Sequence, residues 1–238
     1  MHAYTGREHM HERAAQTLSL RFLSDVPAAL FANPLTVSDR ARLLMSRLIA
    51  AALLMLLGPL MLACAWLIRT DGGPATFAHV RVGCRGRLFR CLKFRTMCPS
   101  AEQALQAVLE RDPLLRMEWE RNQKLADDPR VTRVGKWLRR ASLDELPQLL
   151  NVIRGEMALV GPRPITVAEL RRYGPARWQY LSVLPGITGL WQVSGRNRVA
   201  YERRIELDQL YVKNRSAWFD CKILAKTLLV VLTRDGAC

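Results

Sequence analysis

The sequence predicts an α+β, mostly helical fold in which one helical segment is embedded in a membrane. Three observations carry this prediction. An uncharged apolar run covers residues 48–68, and a stretch with partial β-type alternation covers 80–97. Two further segments, 100–125 and 142–155, repeat their apolar residues with helical spacing.

Charge is distributed unevenly along the 238 residues. The chain has 36 Lys and Arg against 21 Asp and Glu, a formal net charge of +15. Residues 1–40 hold as many bases as acids, so the whole surplus follows residue 40. Such a surplus predicts an anionic partner, which is a nucleic acid, an acidic membrane surface or a phosphorylated substrate. The six cysteines form no CxxC pair, so we expect reduced, structural cysteines.

The apolar run reads "LIAAALLMLLGPLMLACAWLI". As a straight helix, it would extend ~30 Å, which is roughly the hydrocarbon thickness of a bilayer. Gly58-Pro59 near its centre predicts a kink. Arg42 and Arg47 precede the run and Arg69 follows it, so both ends favour the cytoplasmic side. A straight span and a re-entrant hairpin remain open, with a buried soluble helix as a third alternative.

The stretch over 80–97 reads "VRVGCRGRLFRCLKFRTM" and predicts a β-hairpin or two short strands. One face would present Arg90, Lys93 and Arg95, either to phosphate groups and anionic lipid or simply to solvent. Two amphipathic helices are predicted after it, separated by a break at Pro113.

The segment over 139–164 reads "RRASLDELPQLLNVIRGEMALVGPRP". Ser142 and Glu145 have the spacing of a capping box, which predicts a helix that ends at Gly155. Asp144 would then lie in the first turn, where the helix dipole lowers its pKa and favours a nucleophilic or metal-binding carboxylate. Glu145 would be the second carboxylate for a divalent ion, and Arg139 would contact phosphate. The structural alternative is an ordinary helix start.

Two loops add anion-binding character. Arg163 lies in "GPRP", and the Gly-rich stretch "LPGITGLWQVSGRN" over 184–197 contains Arg196. Backbone and side chains in such loops commonly approach a ligand closely. Neither a Walker motif nor a dinucleotide-binding fingerprint occurs.

Four motifs in this order resemble the bacterial sugar transferase family, the monotopic polyprenyl-phosphate hexose-1-phosphate transferases. They are "KFRTM", "DDPRVTRVGKWLRRASLDELPQLLNVIRGEMALVGPRP", "PGITGLWQVSGRN" and "YERRIELDQLYVKNRSAWFDCKIL". The resemblance covers about residues 41–235. It implies a membrane-embedded re-entrant helix over 41–70 and a small cytoplasmic α/β catalytic domain over 71–238 with interfacial amphipathic helices. Residues 1–40 lie outside the resemblance, and we expect them to form a poorly ordered N-terminal tail.

The resemblance also implies a reaction. Hexose 1-phosphate, with galactose or glucose as the sugar, would pass from a UDP-hexose to undecaprenyl phosphate, and UMP would leave. Asp144 would form a covalent phosphosugar-aspartate and Glu145 would help to hold Mg²⁺. The enzyme would work at the cytoplasmic face of the bacterial inner membrane, in the first membrane step of exopolysaccharide, capsule or O-antigen synthesis.

The family motifs further imply substrate contacts for six residues: Lys93, Arg95, Arg139, Arg163, Arg196 and Asp208. Two rival interpretations remain. A membrane-tethered nucleic-acid-binding protein would explain the charge, but it does not need an acid pair facing its anion. A non-catalytic scaffold for assembly enzymes would need no nucleophile. We expect no nucleic acid among the partners.

Overall fold

A computed structural model of the chain describes residues 36–122, 125, 128–195 and 199–233. They form two compact units, each assembled from separate stretches of sequence. The first, unit A, contains the described residues up to Leu57, Ala78–Leu92 and those from Gln148 onward. The second, unit B, contains Gly58–Phe77 and Lys93–Pro147. The predicted tail lies outside the described residues, except for its last five positions.

The apolar run belongs to helix α1, Val37–Arg69, which begins four residues before the predicted membrane part. Pro59 lies inside this helix, and the division between the two units falls beside it at Gly58. Only 11% of its most apolar 18-residue window is buried within the chain. The core helix of a soluble protein would be mostly buried, so this exposure argues against that alternative. The choice between a straight span and a re-entrant hairpin stays a prediction.

The β-hairpin predicted over residues 80–97 is confirmed. Strand β1, Thr76–Val82, pairs with β2, Leu88–Phe94, and a short 3₁₀ turn connects them. Phe89 and Cys91 are buried while Arg90 between them is exposed, as the alternation of side chains along a strand requires.

The break at Pro113 is also confirmed. Helix α2, Ala101–Arg111, ends before it, and α3, Pro113–Asn122, begins with this proline. Proline suits the first helical position because the amide it lacks would have no helical partner there. The Asp112 carboxylate accepts hydrogen bonds from the amides of Leu114 (2.8 Å) and Leu115 (3.2 Å), which caps the new helix.

The core of unit B joins α1 and β2 to helix α4, Arg133–Arg140. Thr132 caps α4, since its hydroxyl accepts the amide hydrogen of Gly135 at 2.9 Å. A side chain at Gly135 would collide with the backbone of Thr96, so only glycine lets α4 approach this closely. The buried residues of this core are Cys64, Ile68, Phe94 and Leu138, and Leu143 and Leu146 pack against them.

The described residues of unit A form seven further α-helices and strands. These are α5 (Gln148–Arg154), β3 (Ala158–Val160), α6 (Val167–Arg172), α7 (Arg177–Leu181), β4 (Gly186–Thr188), α8 (Tyr201–Asn214) and α9 (Ala217–Thr233). Strands β3 and β4 pair in parallel, with Ala158 opposite Gly186 and Val160 opposite Thr188. The core packs α6 and α7 against the end of β1, through Val82, Ile165, Leu170, Tyr173, Ala176, Tyr180 and Leu181.

Helix α9 has an apolar outer face as well as a buried one. Ile223 is buried, and the hydroxyls of Thr227 and Thr188 lie 2.8 Å apart. Trp218 is 70% exposed, and Leu228 and Leu229 are exposed as well. Exposed apolar surface of this kind is typical of a helix at a membrane interface, which stays a prediction for α9.

The prediction that α1 enters and leaves the membrane on the same side, as a re-entrant hairpin, can be tested by cysteine labelling at the two ends of α1. We expect Ala41→Cys and Thr70→Cys, in a background without native cysteines, to react with an impermeant maleimide from the same side of inside-out vesicles. Both positions are exposed. Leu62→Cys, exposed within the apolar run, serves as the lipid-facing control and should remain unlabelled. Labelling of the two ends from opposite sides would establish a straight span instead.

Candidate active site

The acid pair, Asp144 and Glu145, lies in a three-residue 3₁₀ turn, Leu143–Glu145. The predicted capping box is wrong, because Ser142 makes no side-chain cap hydrogen bond and has a left-handed backbone with a φ of 55°. The longer helix is wrong as well: α5 begins only at Gln148, after Pro147. Pro147 has no amide hydrogen and its ring clashes with a preceding helical turn, so a continuous helix through it is unfavourable. The predicted end is confirmed, since Gly155 follows α5 with a φ of 78°.

Lys93 brings a positive charge to the acid pair. Its Nζ lies 2.6 Å from Oε1 of Glu145 and 3.6 Å from Oδ2 of Asp144. Next to Lys93 along β2, Phe94 packs in the core of unit B with Leu143 and Leu146, which flank the acid pair. This apolar contact fixes the end of the strand beside the turn, so the lysine and the carboxylates meet because their neighbours are buried together.

Burial raises the pKa of the Asp144 carboxyl above its ordinary value. The Lys93 ammonium is the main opposing influence, Arg139 adds a smaller one, and the negative charge of Glu145 works in the same direction as burial. The predicted lowering of this pKa is therefore wrong in sign. The turn is too short to supply a helix dipole, and the side chain is only 15% exposed. Ionised Asp144 therefore depends on the cations around it.

Arg139, in the last turn of α4, is a second cation that acts on Asp144. Its Nε donates to the hydroxyl of Thr96 at 3.0 Å, and its charge lowers the pKa of Asp144. The close approach at Gly135 holds α4 against Thr96 and so sets this contact. Sequence reasoning found Arg139 but missed Thr96, since the hydroxyl is 43 residues away along the chain.

Arg95 was predicted to contact phosphate, but its guanidinium is surrounded by protein acceptors. All five N–H donors of its guanidinium are used within unit B, by the carboxylate of Asp71 and the carbonyl oxygens of Pro74, Met97 and Ile68. The side chain is only 9% exposed. This geometry favours a structural role, in which Arg95 ties the end of α1 to β2, over a contact with substrate phosphate.

Unit A contains a second group of predicted site residues. The guanidinium of Arg163 lies over the ring of Trp191, 5.6 Å from its centroid, and its charge acts on Asp208. Arg204 lies over the same ring at 4.8 Å. Arg204 was not predicted, although it is four residues before Asp208 on α8 and therefore on the same helical face. Arg196 lies outside the described residues.

Asp208 is a buried carboxylate, only 2% exposed. The Tyr173 hydroxyl donates to its Oδ2 at 2.9 Å, while Oδ1 has no hydrogen-bond partner among the described residues. Burial raises the pKa of Asp208 to about 7, against the smaller lowering by Tyr173 and Arg163. The side chain is therefore poised between its two charge states near neutral pH.

The acid pair fits the protein's share of a Mg²⁺ site. Across the part of the chain that the structure describes, no three His, Cys, Asp or Glu side chains converge as a complete ligand set. Magnesium commonly binds through one or two carboxylates together with water and substrate phosphates. Asp144 and Glu145 supply such carboxylates, and the ammonium of Lys93 already marks the place between them as one that favours a cation.

The raised pKa of Asp208 predicts a specific pH dependence. Because this pKa is higher in the folded chain than in the unfolded one, its contribution to stability is complete below about pH 4. That contribution is lost as the pH rises through about 7. Asp208→Asn has no carboxyl to ionise and removes this loss. The melting temperature of the variant minus that of the parent should therefore be larger at pH 8 than at pH 5.5. Scanning fluorimetry at both pH values measures this difference.

Glu206→Gln, which removes an exposed carboxylate from the same helix, is the matched control. A gap between Asp208→Asn and the parent that stays constant with pH would contradict the raised pKa.

Comparisons with known proteins agree on one family. The family model for bacterial sugar transferases matches residues 37–234. The chain is 52% identical over 188 residues to the UDP-galactose-lipid carrier transferase of Erwinia amylovora, which is 79% of this chain and 39% of that protein. It is also 52% identical over 185 residues to the undecaprenyl-phosphate galactose phosphotransferase of Salmonella typhimurium, 78% of this chain and 39% of that protein.

A third relative is similar in length to this chain. The exopolysaccharide production protein ExoY of Sinorhizobium fredii is 48% identical over 191 residues, 80% of this chain and 84% of that protein. The chain spans about two fifths of the length of the two longer relatives. The match to the family model covers the acid pair, Lys93, Arg139 and all of the described unit A except Thr36. This chain belongs to the bacterial sugar transferase family.

Proposed function

We propose that the chain transfers hexose 1-phosphate from a UDP-hexose to undecaprenyl phosphate and releases UMP, at the cytoplasmic face of the bacterial inner membrane. The observation that carries the proposal is the largely desolvated carboxylate of Asp144, 15% exposed, with the Lys93 ammonium 3.6 Å away and Arg139 close by. A desolvated carboxylate whose charge is sustained by cations is suited to attack an anionic phosphate.

The reaction takes place in two displacements. First, a carboxylate oxygen of Asp144 attacks the phosphorus that carries the hexose. A P–O bond forms, and the P–O bond to UMP breaks with its electron pair leaving on UMP. Second, a phosphate oxygen of undecaprenyl phosphate attacks the same phosphorus and the bond to Asp144 breaks. The products are undecaprenyl diphosphate hexose and the free carboxylate, so neither proton nor electron is left over.

The side chains around Asp144 counter the repulsion between two anions. The Lys93 ammonium and the Arg139 guanidinium stabilise negative charge that gathers on the phosphate oxygens during the attack. Bound Mg²⁺, held by Glu145 with Asp144 and the substrate phosphates, would supply further neutralisation of the diphosphate. Burial of Asp144 weakens its hydration, which makes the ionised form a stronger nucleophile at the cost of a higher pKa.

The relatives suggest which substrates to test first. Two of them carry galactose in their names, one as a UDP-galactose transferase and the other as an undecaprenyl-phosphate phosphotransferase. ExoY is named for exopolysaccharide production. We therefore propose UDP-galactose as the first donor, UDP-glucose as the second, and the first membrane step of exopolysaccharide synthesis as the role.

The nucleophile is tested with detergent-solubilised enzyme, radiolabelled UDP-galactose, UDP-glucose and undecaprenyl phosphate. We expect Asp144→Ala to lower UMP release by about 10³-fold or more, since the covalent route is lost. Acid quenching of the parent without acceptor should recover a phosphosugar adduct on the peptide that contains Asp144. Glu145→Gln keeps the nucleophile and should still form the adduct, but with a higher Mg²⁺ requirement.

Exposed Glu202→Gln is the control and should behave like the parent. Turnover that survives in Asp144→Ala would show that another group attacks. Sustained exopolysaccharide output in cells that carry this variant would favour the scaffold interpretation.

The dependence of Asp144 on Lys93 predicts a shift in the pH profile. Since the ammonium lowers the pKa of Asp144, Lys93→Met should move the acidic limb of kcat/KM to higher pH. The maximum rate should also fall, because a phosphate contact is lost. The control is Lys213→Met, an exposed lysine on α8. An acidic limb that does not move in Lys93→Met would mean that another group sets it.

A further inference from the structure

Unit A contains a cavity of about 500 Å³ whose walls the transfer chemistry does not use. It is lined by the start of α1, the turn between β1 and β2, the end of α5 and parts of α8 and α9. Ligand cavities in proteins have volumes of roughly 300–1,000 Å³, so this one is large enough for a lipid head group. We call it the arginine-lined cavity.

Positive charge dominates the lining. Six arginines face three acidic residues, and no lysine is present. The acids already have partners: Asp220 accepts from Arg42 at 2.6 Å, Asp39 from Arg215 at 3.2 Å, and Glu156 from the amide of Asn151 at 2.6 Å. The carboxylates are therefore engaged in holding the walls together.

Three other arginines of the lining have no carboxylate partner within the described part of the chain. They are Arg47 on α1, Arg87 before β2 and Arg154 at the end of α5. All three residues are exposed. The Arg47 guanidinium lies directly against Gly155, where a side chain would collide with it. Guanidinium groups gathered in this way bind phosphate oxygens through paired, charge-assisted hydrogen bonds.

The cavity also has apolar walls and adjoins the membrane segment. Phe89, Leu88, Val183 and Leu184 contribute to its lining. On α1, Leu43, Ser46 and Arg47 line it directly before the apolar run begins at residue 48. A basic site at the end of a membrane segment, with an apolar side, is typical of sites for anionic lipid head groups.

We propose that the arginine-lined cavity binds the phosphate head group of an anionic glycerophospholipid, which remains bound as a resident ligand. The lining shares no residue with the group formed by Asp144, Glu145, Lys93 and Arg139, so the lipid takes no part in the transfer. Undecaprenyl phosphate and a glycerophospholipid both carry a phosphate on a lipid anchor. The experiment below therefore distinguishes between these two lipids. The inference depends on membrane association and not on the reaction.

The test measures lipid binding without any sugar donor. Purified enzyme is titrated with phosphatidylglycerol or phosphatidylcholine in detergent, and bound lipid is counted by native mass spectrometry. We expect phosphatidylglycerol to bind and Arg87→Gln/Arg154→Gln to weaken its binding by about tenfold or more, since two charge-assisted contacts are lost. The control, Arg111→Gln/Arg171→Gln, removes the same charge from exposed residues outside the cavity and should bind like the parent.

Equal binding of phosphatidylglycerol by the two double variants would overturn the proposal, as would binding of phosphatidylcholine at the same strength. Two competition arms identify the ligand. Displacement by equimolar undecaprenyl phosphate would assign the cavity to the acceptor, and displacement by millimolar inorganic phosphate would make it a site for small anions; either result overturns the resident-lipid assignment. UMP release is assayed separately, so a failure of lipid binding leaves the proposed transferase reaction standing.

Discussion

The contact between Lys93 and the acid pair is the interaction on which the proposed chemistry depends. Burial of a side chain that is only 15% exposed and the charge of the adjacent Glu145 both raise the pKa of Asp144, and a protonated aspartate does not attack phosphorus. The ammonium 3.6 Å from Asp144 keeps the charged form accessible. The fold provides this contact through apolar packing, because Phe94 and Leu143 are part of one core while their neighbours Lys93 and Asp144 meet at its edge.

Local sequence patterns predicted the helices and strands well where a single residue determines where the element begins or ends. Pro113 begins a helix, Gly155 ends one, and the alternation around Arg90 marks a strand. The helix expected from Ser142 does not form, because Pro147 separates the turn at Leu143–Glu145 from α5 despite the helical spacing of the leucines on both sides. Leu149 is buried and Leu146 packs against the core of unit B, so the apolar spacing reflects burial and not one continuous helix.

For the site residues, sequence patterns predicted the positions but not the surroundings of the side chains. The acid pair, Lys93 and Arg139 were found from their motifs, yet the pKa of Asp144 was predicted with the wrong sign because it is set by burial, which depends on distant parts of the chain. Arg95 lies only two residues from Lys93 and carries the same formal charge. Its donors are all used by Asp71 and backbone carbonyls, so its position in a motif does not reveal what it contacts. Residue type was predictable from sequence, whereas solvation and partners were not.

These differences explain how a chain with a net charge of +15 can use arginine for several purposes. Arg95 and Arg42 are bound to carboxylates and stabilise the fold, which neutralises them as sites for a ligand. Arg139 acts on a carboxylate that must stay reactive, so its charge remains partly available. Arg87 and Arg154 have no such partner among the described residues, and arginines that gather around a cavity repel one another. An anion is what offsets that repulsion, and beside a membrane segment the anion at highest local concentration is the lipid phosphate.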